Sequence, residues 1–245
     1  MNHKQVTALS KVTEPDMRYE KQDSKPNMTP LLDSSHKTTD KMAQQAMPSL
    51  SAIILAGGEG RRMGGLDKGL VLYQDKPLVQ WVKEALPTNV KKIVISCNRH
   101  LQDYAQYGQT IHDLPSEFTY GGALSGILAA LPLCQHDWVI ITPCDLIYYP
   151  TDFAEVAWTA LSKHLQQNPH AAKIAVAHDG ERRQNLCLLM HKSEITALTE
   201  ALKISRAVHD WLDLRQALDI PWGNAQEFLN INDQKQLATL KTSHI

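Results

Sequence analysis

The stretch Ile53-Ile-Leu-Ala-Gly-Gly-Glu-Gly-Arg-Arg-Met-Gly-Gly-Leu-Asp-Lys68 joins a short apolar run to a loop that is rich in glycine. The apolar run predicts a buried strand over 51–56. Glycine lets backbone N–H groups approach a ligand closely, and successive N–H groups form a concavity that binds anions. Because Arg62 and Lys68 add positive charge, the stretch predicts a phosphate-binding loop directly after a strand.

Two common phosphate-binding loops do not match this stretch. The Walker motif ends in Gly-Lys-Ser/Thr, which does not occur in the sequence. The dinucleotide fingerprint Gly-x-Gly-x-x-Gly would place its third glycine at Met63. A flexible surface loop with solvated charges is the alternative, but the density of glycine and cations directly after a strand argues against it.

Composition limits the classes of protein to which this chain of 245 residues belongs. A hydrophobic content of 43% and a charged content of 21% are typical of a soluble globular protein. The net charge of −1 gives no basic field for nucleic acid, and no apolar run reaches the ~18 residues of a membrane span. The four cysteines form no Cys-x-x-Cys pair. We therefore expect a cytoplasmic protein with neither nucleic acid nor a membrane as a partner.

Residues 1–48 differ from the rest of the chain. They are polar, mixed in charge and interrupted by proline, and their apolar residues show no periodicity. Such a segment cannot bury enough apolar surface to offset its ordering entropy, so the sequence predicts a disordered N-terminal tail. Residues 49–245 would form the folded domain.

From residue 50 onward, short apolar runs alternate with segments of helical periodicity. The predicted strands lie at 51–56, 93–95, 109–112, 138–142, 173–177 and 185–190, with a strand end at 228–229. The predicted helices lie at 78–86, 100–107, 122–131, 151–166, 193–203, 206–214 and 233–240. Thr151 would cap the fourth helix, and Val156 would lie on its buried side. This order predicts a three-layer α/β fold with a mostly parallel sheet and helices on both faces.

Polar side chains follow several of these strands. Ser96 and Asn98 come after the strand at 93–95, Asp113 after the next strand, and Asp145 after the strand at 138–142. Because ligands of such sheets bind beyond the carboxyl ends of the strands, these residues and the glycine loop predict one site. A carboxylate at Asp145 suits a hard cation that bridges phosphate oxygens. The alternative for both aspartates is a turn or helix cap.

The same residues resemble a known family. The pattern Leu55-Ala-Gly-Gly-x-x-x-Arg-Met-Gly-Gly-x-Asp-Lys68 resembles the signature of the molybdenum cofactor guanylyltransferases, the MobA family. Pro143-Cys-Asp145 resembles the magnesium-binding motif of that family, and His178-Asp-Gly-Glu-Arg182 resembles a hairpin in its second half. Asn230-Ile-Asn232 resembles the Asn-x-Asn before its last helix. The resemblance covers about residues 51–240.

The resemblance implies a Rossmann-like nucleotidyltransferase that transfers GMP from GTP to a molybdopterin-type cofactor and releases pyrophosphate. It implies catalytic roles for Arg62, Lys68 and Asp145, and Mg²⁺ held by Asp145 with Asp113. It implies a nucleotide-binding half over about 49–150 and an acceptor-binding half over about 151–245, where Arg182, Asn230 and Asn232 would bind the acceptor. It also implies partner proteins that deliver or receive the cofactor. The nucleotide-binding residues that it implies are Leu55, Ala56, Gly57, Gly58, Lys68, Ser96, Asn98, Asp113 and Asp145.

Three other functions stay open at this point. A cytidylyltransferase or a sugar-phosphate nucleotidyltransferase would share the fold and the chemistry, although the doubled glycine at Gly57-Gly58 and the ending Met-Gly-Gly-x-Asp-Lys argue against both. A nucleotide-binding module without catalysis would not need both Lys68 and Asp145. The alternative role of Asn232 is the N-cap of the last predicted helix.

Overall fold

A sheet of seven strands forms the framework of the protein. In the computed structural model, the strands in chain order are β1 (Leu50–Leu55), β2 (Leu72–Tyr73), β3 (Lys76–Pro77), β4 (Val90–Ser96), β5 (Gln109–Ile111), β6 (Trp138–Pro143), β7 (Ile174–His178), β8 (Arg183–His191) and β9 (Leu218–Pro221). The sheet has the order β5-β4-β1-β6-β8-β7-β9, and β2 pairs with β3 in a separate hairpin.

The structure describes residues 46–114, 122–222, 225–228, 230–231 and 236. The predicted tail at 1–48 therefore lies outside the described residues, apart from its last three. The helix predicted at 233–240 also lies outside them, apart from Gln236, which is helical. Asn232 and the side chain of Arg62 lie outside them as well, so the roles predicted for these two residues stay predictions.

The strands that lead to the predicted site are parallel to one another. β1 lies between β4 and β6, and β5 lies beyond β4. β8 is antiparallel to both β6 and β7, whereas β9 pairs in parallel with β7. The prediction of a mostly parallel α/β sheet is confirmed. Because neighbouring parallel strands end at a common edge, β1, β4 and β6 bring their carboxyl ends together.

Helices cover both faces of the sheet. They are α1 (Leu78–Ala85), α2 (Leu101–Tyr104), α3 (Gly122–Ala130), α4 (Phe153–Gln167), α5 (Ile195–Ile204) and α6 (Val208–Leu214). Side chains alternate between the two faces of a strand. In β1, Ala52 and Ile54 therefore pack in one core with α1, α2 and α4, while Ile53 packs in a second core with α3, α5 and α6. This arrangement is the predicted three-layer fold.

Helix α4 differs from its prediction in two respects. Asp152, and not Thr151, occupies the N-cap position, and its side chain forms no capping hydrogen bond. Val156 is exposed, because the buried stripe of α4 runs through Ala154, Ala157 and Leu161 and turns Val156 toward solvent. Val156 lies at the edge of this stripe, three residues from Phe153, so the spacing alone did not show that it is exposed.

Two elements near the end of the chain were predicted incorrectly. Phe228 lies in a 3₁₀ turn, Ala225–Phe228, rather than at a strand end. β9 was not predicted, since its sequence Leu-Asp-Ile-Pro carries a charge and a proline. The charged residue and the proline are tolerated because β9 is an edge strand, and one side of an edge strand needs no hydrogen-bonding partner. Among the described residues, the structure contains no helix that is long and apolar enough to cross a membrane.

Candidate active site

A cavity of about 400 Å³ lies where β1, β4 and β6 end. The start of α3 and the β8 residue Leu186 also border it. Eight of the residues that were predicted to bind the nucleotide line this cavity: Leu55, Ala56, Gly57, Gly58, Lys68, Ser96, Asp113 and Asp145. The structure therefore brings together side chains from four separate segments that the sequence predicted to form one site.

The loop that follows β1 passes very close to the neighbouring strand end. A Cβ atom at Gly57 would lie 2.8 Å from Oδ2 of Asp113 and 3.1 Å from Nδ2 of Asn98, so only glycine fits there. No described atom lies within 4 Å of the position that a Cβ at Gly58 would take. The backbone at Gly57 is thus packed against the protein, while the backbone at Gly58 faces open space in the cavity wall.

The second part of the loop, residues 60–65, is closed by hydrogen bonds between its own backbone groups. The carbonyl of Gly60 accepts hydrogen bonds from the N–H groups of Met63 at 2.8 Å and Gly65 at 3.0 Å. Gly60 has a φ of 66°, and a Cβ at this position would lie 2.0 Å from the carbonyl oxygen of Leu66. Met63, which occupies the place of the third glycine in the dinucleotide fingerprint, is fully buried. Its side chain anchors the loop to the domain.

Lys68 and Asp145 meet at the rim of the cavity. The Lys68 Nζ atom lies 3.0 Å from Oδ2 of Asp145, although the two residues are 77 positions apart in sequence. Backbone hydrogen bonds hold the segment around Asp145 on both sides, from Cys144 N to Leu55 O and from Ile231 N to Asp145 O, each at 3.1 Å. The carboxylate of Asp145 thus pairs with a cation at the end of the glycine loop, which favours a functional role over a local cap.

Asp113 is the centre of a hydrogen-bonding network beneath the loop. The Ser96 hydroxyl donates to Oδ1 of Asp113, and the Asn98 amide donates to Oδ2 at 2.8 Å. Asn98 also accepts from the Asp113 N–H at 3.1 Å and donates to the Gly57 carbonyl at 3.3 Å. Asn98 therefore connects Asp113 to the glycine loop from behind the cavity wall. The serine at position 96 keeps a polar contact with this network.

Helix α3 closes the opposite wall of the cavity. A Cβ atom at Gly126 would lie 2.4 Å from Oγ of Ser96 and 2.9 Å from Oδ1 of Asp113. Glycine at this position therefore allows the helix to pack directly on the strand end. The residues of the Tyr120-Gly-Gly-Ala-Leu-Ser-Gly126 segment that precede Gly122 lie outside the described part of the chain.

A tyrosine that the sequence did not single out supports Lys68. The hydroxyl of Tyr104 donates to the carboxylate of the buried residue Asp67, which directly precedes Lys68. A Cβ atom at Gly69 would lie only 2.4 Å from the Tyr104 hydroxyl oxygen. Burial, followed by the neighbouring Cys144 and Asp67, raises the pKa of Tyr104, so the hydroxyl keeps its proton and acts as the donor.

Cys144, between Pro143 and Asp145, also lines the cavity. Burial raises the pKa of its thiol well above the usual value, and the neighbouring carboxylate of Asp145 adds to the effect. The thiolate is the nucleophilic form of cysteine. Cys144 is therefore a protonated packing residue, and the chemistry of the site rests on its charged groups.

The residues predicted to bind the acceptor are less closely gathered. The guanidinium of Arg182 lies on the exposed hairpin between β7 and β8, 3.9 Å from Asp179, and is not among the described residues that line the cavity. Asn230 forms an isolated bridge with Leu146, next to Asp145. Of the predicted acceptor residues, only Asn230 is thus placed beside the cavity by a described contact.

Asp179 holds this hairpin in shape. Its Oδ1 atom accepts hydrogen bonds from the N–H groups of Glu181 at 2.9 Å and Arg182 at 2.8 Å, and its Oδ2 atom accepts from the amide of Gln184 at 2.6 Å. Burial alone would raise the pKa of Asp179, but these hydrogen bonds outweigh burial and lower it. The charged carboxylate thus fixes the turn that carries Arg182.

Comparison with known proteins gives a consistent result. The sequence profile of the MobA-like NTP transferase domain matches residues 52–219. The molybdenum cofactor guanylyltransferase of Pasteurella multocida strain Pm70 is 36% identical over 196 residues, which cover 78% of this chain and 98% of the relative. That of Shewanella loihica is 32% identical and covers 80% of this chain and 99% of the relative.

Solved structures share the fold. Molybdopterin-guanine dinucleotide biosynthesis protein A from Archaeoglobus fulgidus superposes with a TM-score of 0.60 at 20% identity, covering 79% of this chain and 97% of that chain. A nucleotidyl transferase from Methanothermobacter superposes with a TM-score of 0.58 at 12% identity, covering 80% and 97% respectively. At these identities the likeness establishes the three-layer architecture alone.

Proposed function

The chain belongs to the family of MobA-like NTP transferases, and we propose that it is a molybdenum cofactor guanylyltransferase. It transfers GMP from GTP to a molybdopterin-type cofactor, giving the guanine dinucleotide form and pyrophosphate. The observation that carries this proposal is the cavity in which Lys68, at the end of the glycine loop, meets Asp145, which follows β6.

The reaction is a phosphoryl transfer, in which a protein acts mainly by positioning and by neutralising charge. An oxygen of the terminal phosphate of the pterin bonds to the α-phosphorus of GTP. The bond from that phosphorus to the bridging oxygen of the β-phosphate breaks, and pyrophosphate leaves with the electron pair. Negative charge develops on the bridging oxygen and on the α-phosphate, so a fixed cation beside these atoms accelerates the step.

Each part of the cavity has a role in this scheme. The loop at 57–65 receives the triphosphate. The N–H groups of Met63 and Gly65 already donate within the loop, so the backbone around Gly58 is the part proposed to donate to phosphate. Lys68 supplies the fixed cation, and Asp145 holds its ammonium group at the rim before the nucleotide arrives. Arg62, in the 3₁₀ turn Arg61–Met63, is proposed as a second cation for the phosphates.

Mg²⁺ fits the chemistry of the donor set. This ion takes oxygen ligands and is commonly held by one or two carboxylates together with substrate phosphates. Asp145 and Asp113 both border the cavity, and each carboxylate oxygen can accept more than one contact. Asp145, with Asp113, would hold the ion, which would neutralise charge on the phosphates. Loss of affinity for Mg²⁺·GTP in Asp145→Asn, with affinity for metal-free GTP retained, would support this assignment.

The acceptor is proposed to bind beside Asp145. Asn230 lies there, and Asn232 follows two positions later in the sequence. Amide side chains offer both donors and acceptors, which suits a pterin ring or its phosphate. Arg182 would contact an anionic part of the acceptor from the hairpin. Proteins that deliver or receive the cofactor are proposed as partners on this side.

A panel of nucleotides tests the proposal. Purified protein is supplied with GTP, CTP or ATP, and pyrophosphate release is measured with and without the pterin acceptor. Guanine presents its N1–H and 2-amino donors beside the O6 acceptor, so a site built for that edge leaves buried groups unpaired with another base. We expect GTP to be used faster than CTP or ATP by ~10²-fold or more. Release should require the acceptor.

Two results would support the other functions. Equal transfer from CTP at saturating pterin would favour the cytidylyltransferase. Tight GTP binding without any product, at saturating pterin and Mg²⁺, would favour the nucleotide-binding module.

A further inference from the structure

Arg99, in the turn after β4, connects two distant points of the glycine loop. Its Nη1 atom donates to the carbonyl of Gly65 at 2.8 Å, and its Nη2 atom donates to the carbonyl of Gly58 at 3.3 Å. A Cβ atom at Gly60 would lie 3.5 Å from the same Nη2 atom. The guanidinium group therefore lies across the loop and links its first part to its last part.

The hydrogen bonds within the loop do not make this connection. They join Gly60 to Met63 and Gly65 and so close the second part of the loop. Gly58, which lines the cavity, lies in the first part. The planar guanidinium presents several donors in a fixed fork, so one side chain can hold two carbonyls at a set separation. A lysine ammonium is a point charge on a flexible stem and cannot reproduce this geometry.

We propose that Arg99 is a positioning residue for nucleotide binding. By holding the carbonyls of Gly58 and Gly65, it fixes the loop in the shape that receives the triphosphate before the nucleotide arrives. Binding then requires less ordering of the loop, which raises affinity. Arg99 acts through the loop and not by contact with phosphate, because two of its donors bind backbone carbonyls and it is not among the described residues that line the cavity. This inference rests on the proposed function of the cavity as a GTP site.

The test separates the geometry of the fork from its charge. Arg99→Lys keeps the charge and removes the fork, whereas Arg99→Gln removes both. Lys91→Gln is the matched control, because it removes one positive charge from the exposed side of β4 and does not alter the loop. For each variant, GTP affinity is measured by calorimetry, the KM and kcat values by pyrophosphate release, and the exchange of the loop amides by hydrogen exchange.

The positioning role of Arg99 predicts a specific result for each of these measurements. Two net hydrogen bonds are lost, so Kd and KM for GTP should rise about tenfold in both Arg99 variants. The kcat value at saturating GTP should change by less than about threefold, and KM for the pterin should stay the same, because Lys68 and Asp145 are retained. The amides of residues 57–65 should exchange faster in both variants. Lys91→Gln should behave like the wild type in every measurement.

Each other outcome overturns the inference. If Arg99→Lys binds GTP as the wild type does while Arg99→Gln does not, the charge matters and the fork does not. If loop exchange is unchanged in both variants, Arg99 does not order the loop. If the wild-type protein itself binds no GTP, the proposed function fails and the inference fails with it. The result for the wild type therefore distinguishes the two failures.

Discussion

The two halves of the sheet build their parts of the site in different ways. In the first half, β1, β4 and β6 are parallel, so each strand ends at the same edge and delivers a loop with polar side chains to one cavity. In the second half, β8 runs antiparallel to β6 and β7, with Trp138 opposite His191. β8 therefore begins at the site edge, and the hairpin that carries Arg182 lies there too.

We propose that this difference separates two tasks. The parallel half holds charged groups in fixed positions, as the contact between Lys68 and Asp145 illustrates. The antiparallel half offers an exposed hairpin and a short bridge at Asn230, which are suited to recognising a second substrate. We therefore expect substitutions in the first half to change turnover and GTP binding, and substitutions in the second half to change the use of the acceptor alone.

Asp145→Asn should have the largest effect. The amide keeps the size of the side chain but is a poor ligand for Mg²⁺, so turnover should fall by ~10³-fold or more. Thermal stability should change little, because the backbone contacts of Asp145 remain. Turnover is measured across a magnesium titration, together with the melting temperature. A variant that melts early but stays active per folded molecule would mean that Asp145 only caps a turn.

Lys68→Ala should reduce turnover by ~10²–10³-fold, the typical effect of losing one group that stabilises transition-state charge. The fold should survive, because Lys68 lies at the cavity rim and little core is lost. The rate at saturating substrates is measured beside Lys203→Ala, which removes a lysine from the exposed surface of α5. Near-normal turnover in Lys68→Ala would remove this residue from the mechanism.

Arg182→Ala tests whether the antiparallel half of the sheet serves the acceptor. Losing one charged contact with the acceptor should raise KM for the pterin by ~10-fold. The KM value for GTP and the kcat value should stay close to those of the wild type. Glu181→Gln is the control on the same hairpin. If Arg182→Ala lowers kcat as strongly as Lys68→Ala does, the division of tasks between the two halves is wrong.

Tyr104→Phe should have the smallest effect on activity. It leaves the buried carboxylate of Asp67 without the tyrosine donor, which should cost ~1–3 kcal/mol of stability. Turnover should fall only about threefold, since Lys68 keeps its contact with Asp145. Thermal denaturation and kcat are measured together. An unchanged melting temperature would show that the contact between Tyr104 and Asp67 does not support the loop.

The sequence predicted those parts of the molecule that local patterns determine. Short apolar runs mark the buried parts of β1, β4 and β6, and Asp145 follows β6 closely, so the pattern and the position were sufficient. The resemblance to a known family supplied the order of the motifs. Most of the predicted nucleotide-binding residues line one cavity, because the strands that they follow end at the same edge of the sheet.

The sequence predicted which segments meet at the site but did not reveal two of the individual contacts between them. Tyr104 and Asp67 are 37 positions apart, and Arg99 is 41 positions from Gly58. No periodicity of the chain encodes such a pair, because the approach depends on how the strands stack in the sheet. In α4 only Val156 was misplaced, for a related reason: packing against the sheet decides how far the buried stripe extends around the helix.

Gly69 has a consequence for how this protein can vary. A methyl group at this position would lie 2.4 Å from the Tyr104 oxygen and 3.1 Å from the Cβ of Cys144. Gly69→Ala should therefore lower the stability of the protein while Tyr104 is present, and should lower it less in a chain with a smaller side chain at position 104. We therefore expect the effect of a substitution at one of the two positions to depend on the residue at the other. A scan that changes one residue at a time would find no tolerated substitution at Gly69, although Tyr104 is the cause of that constraint.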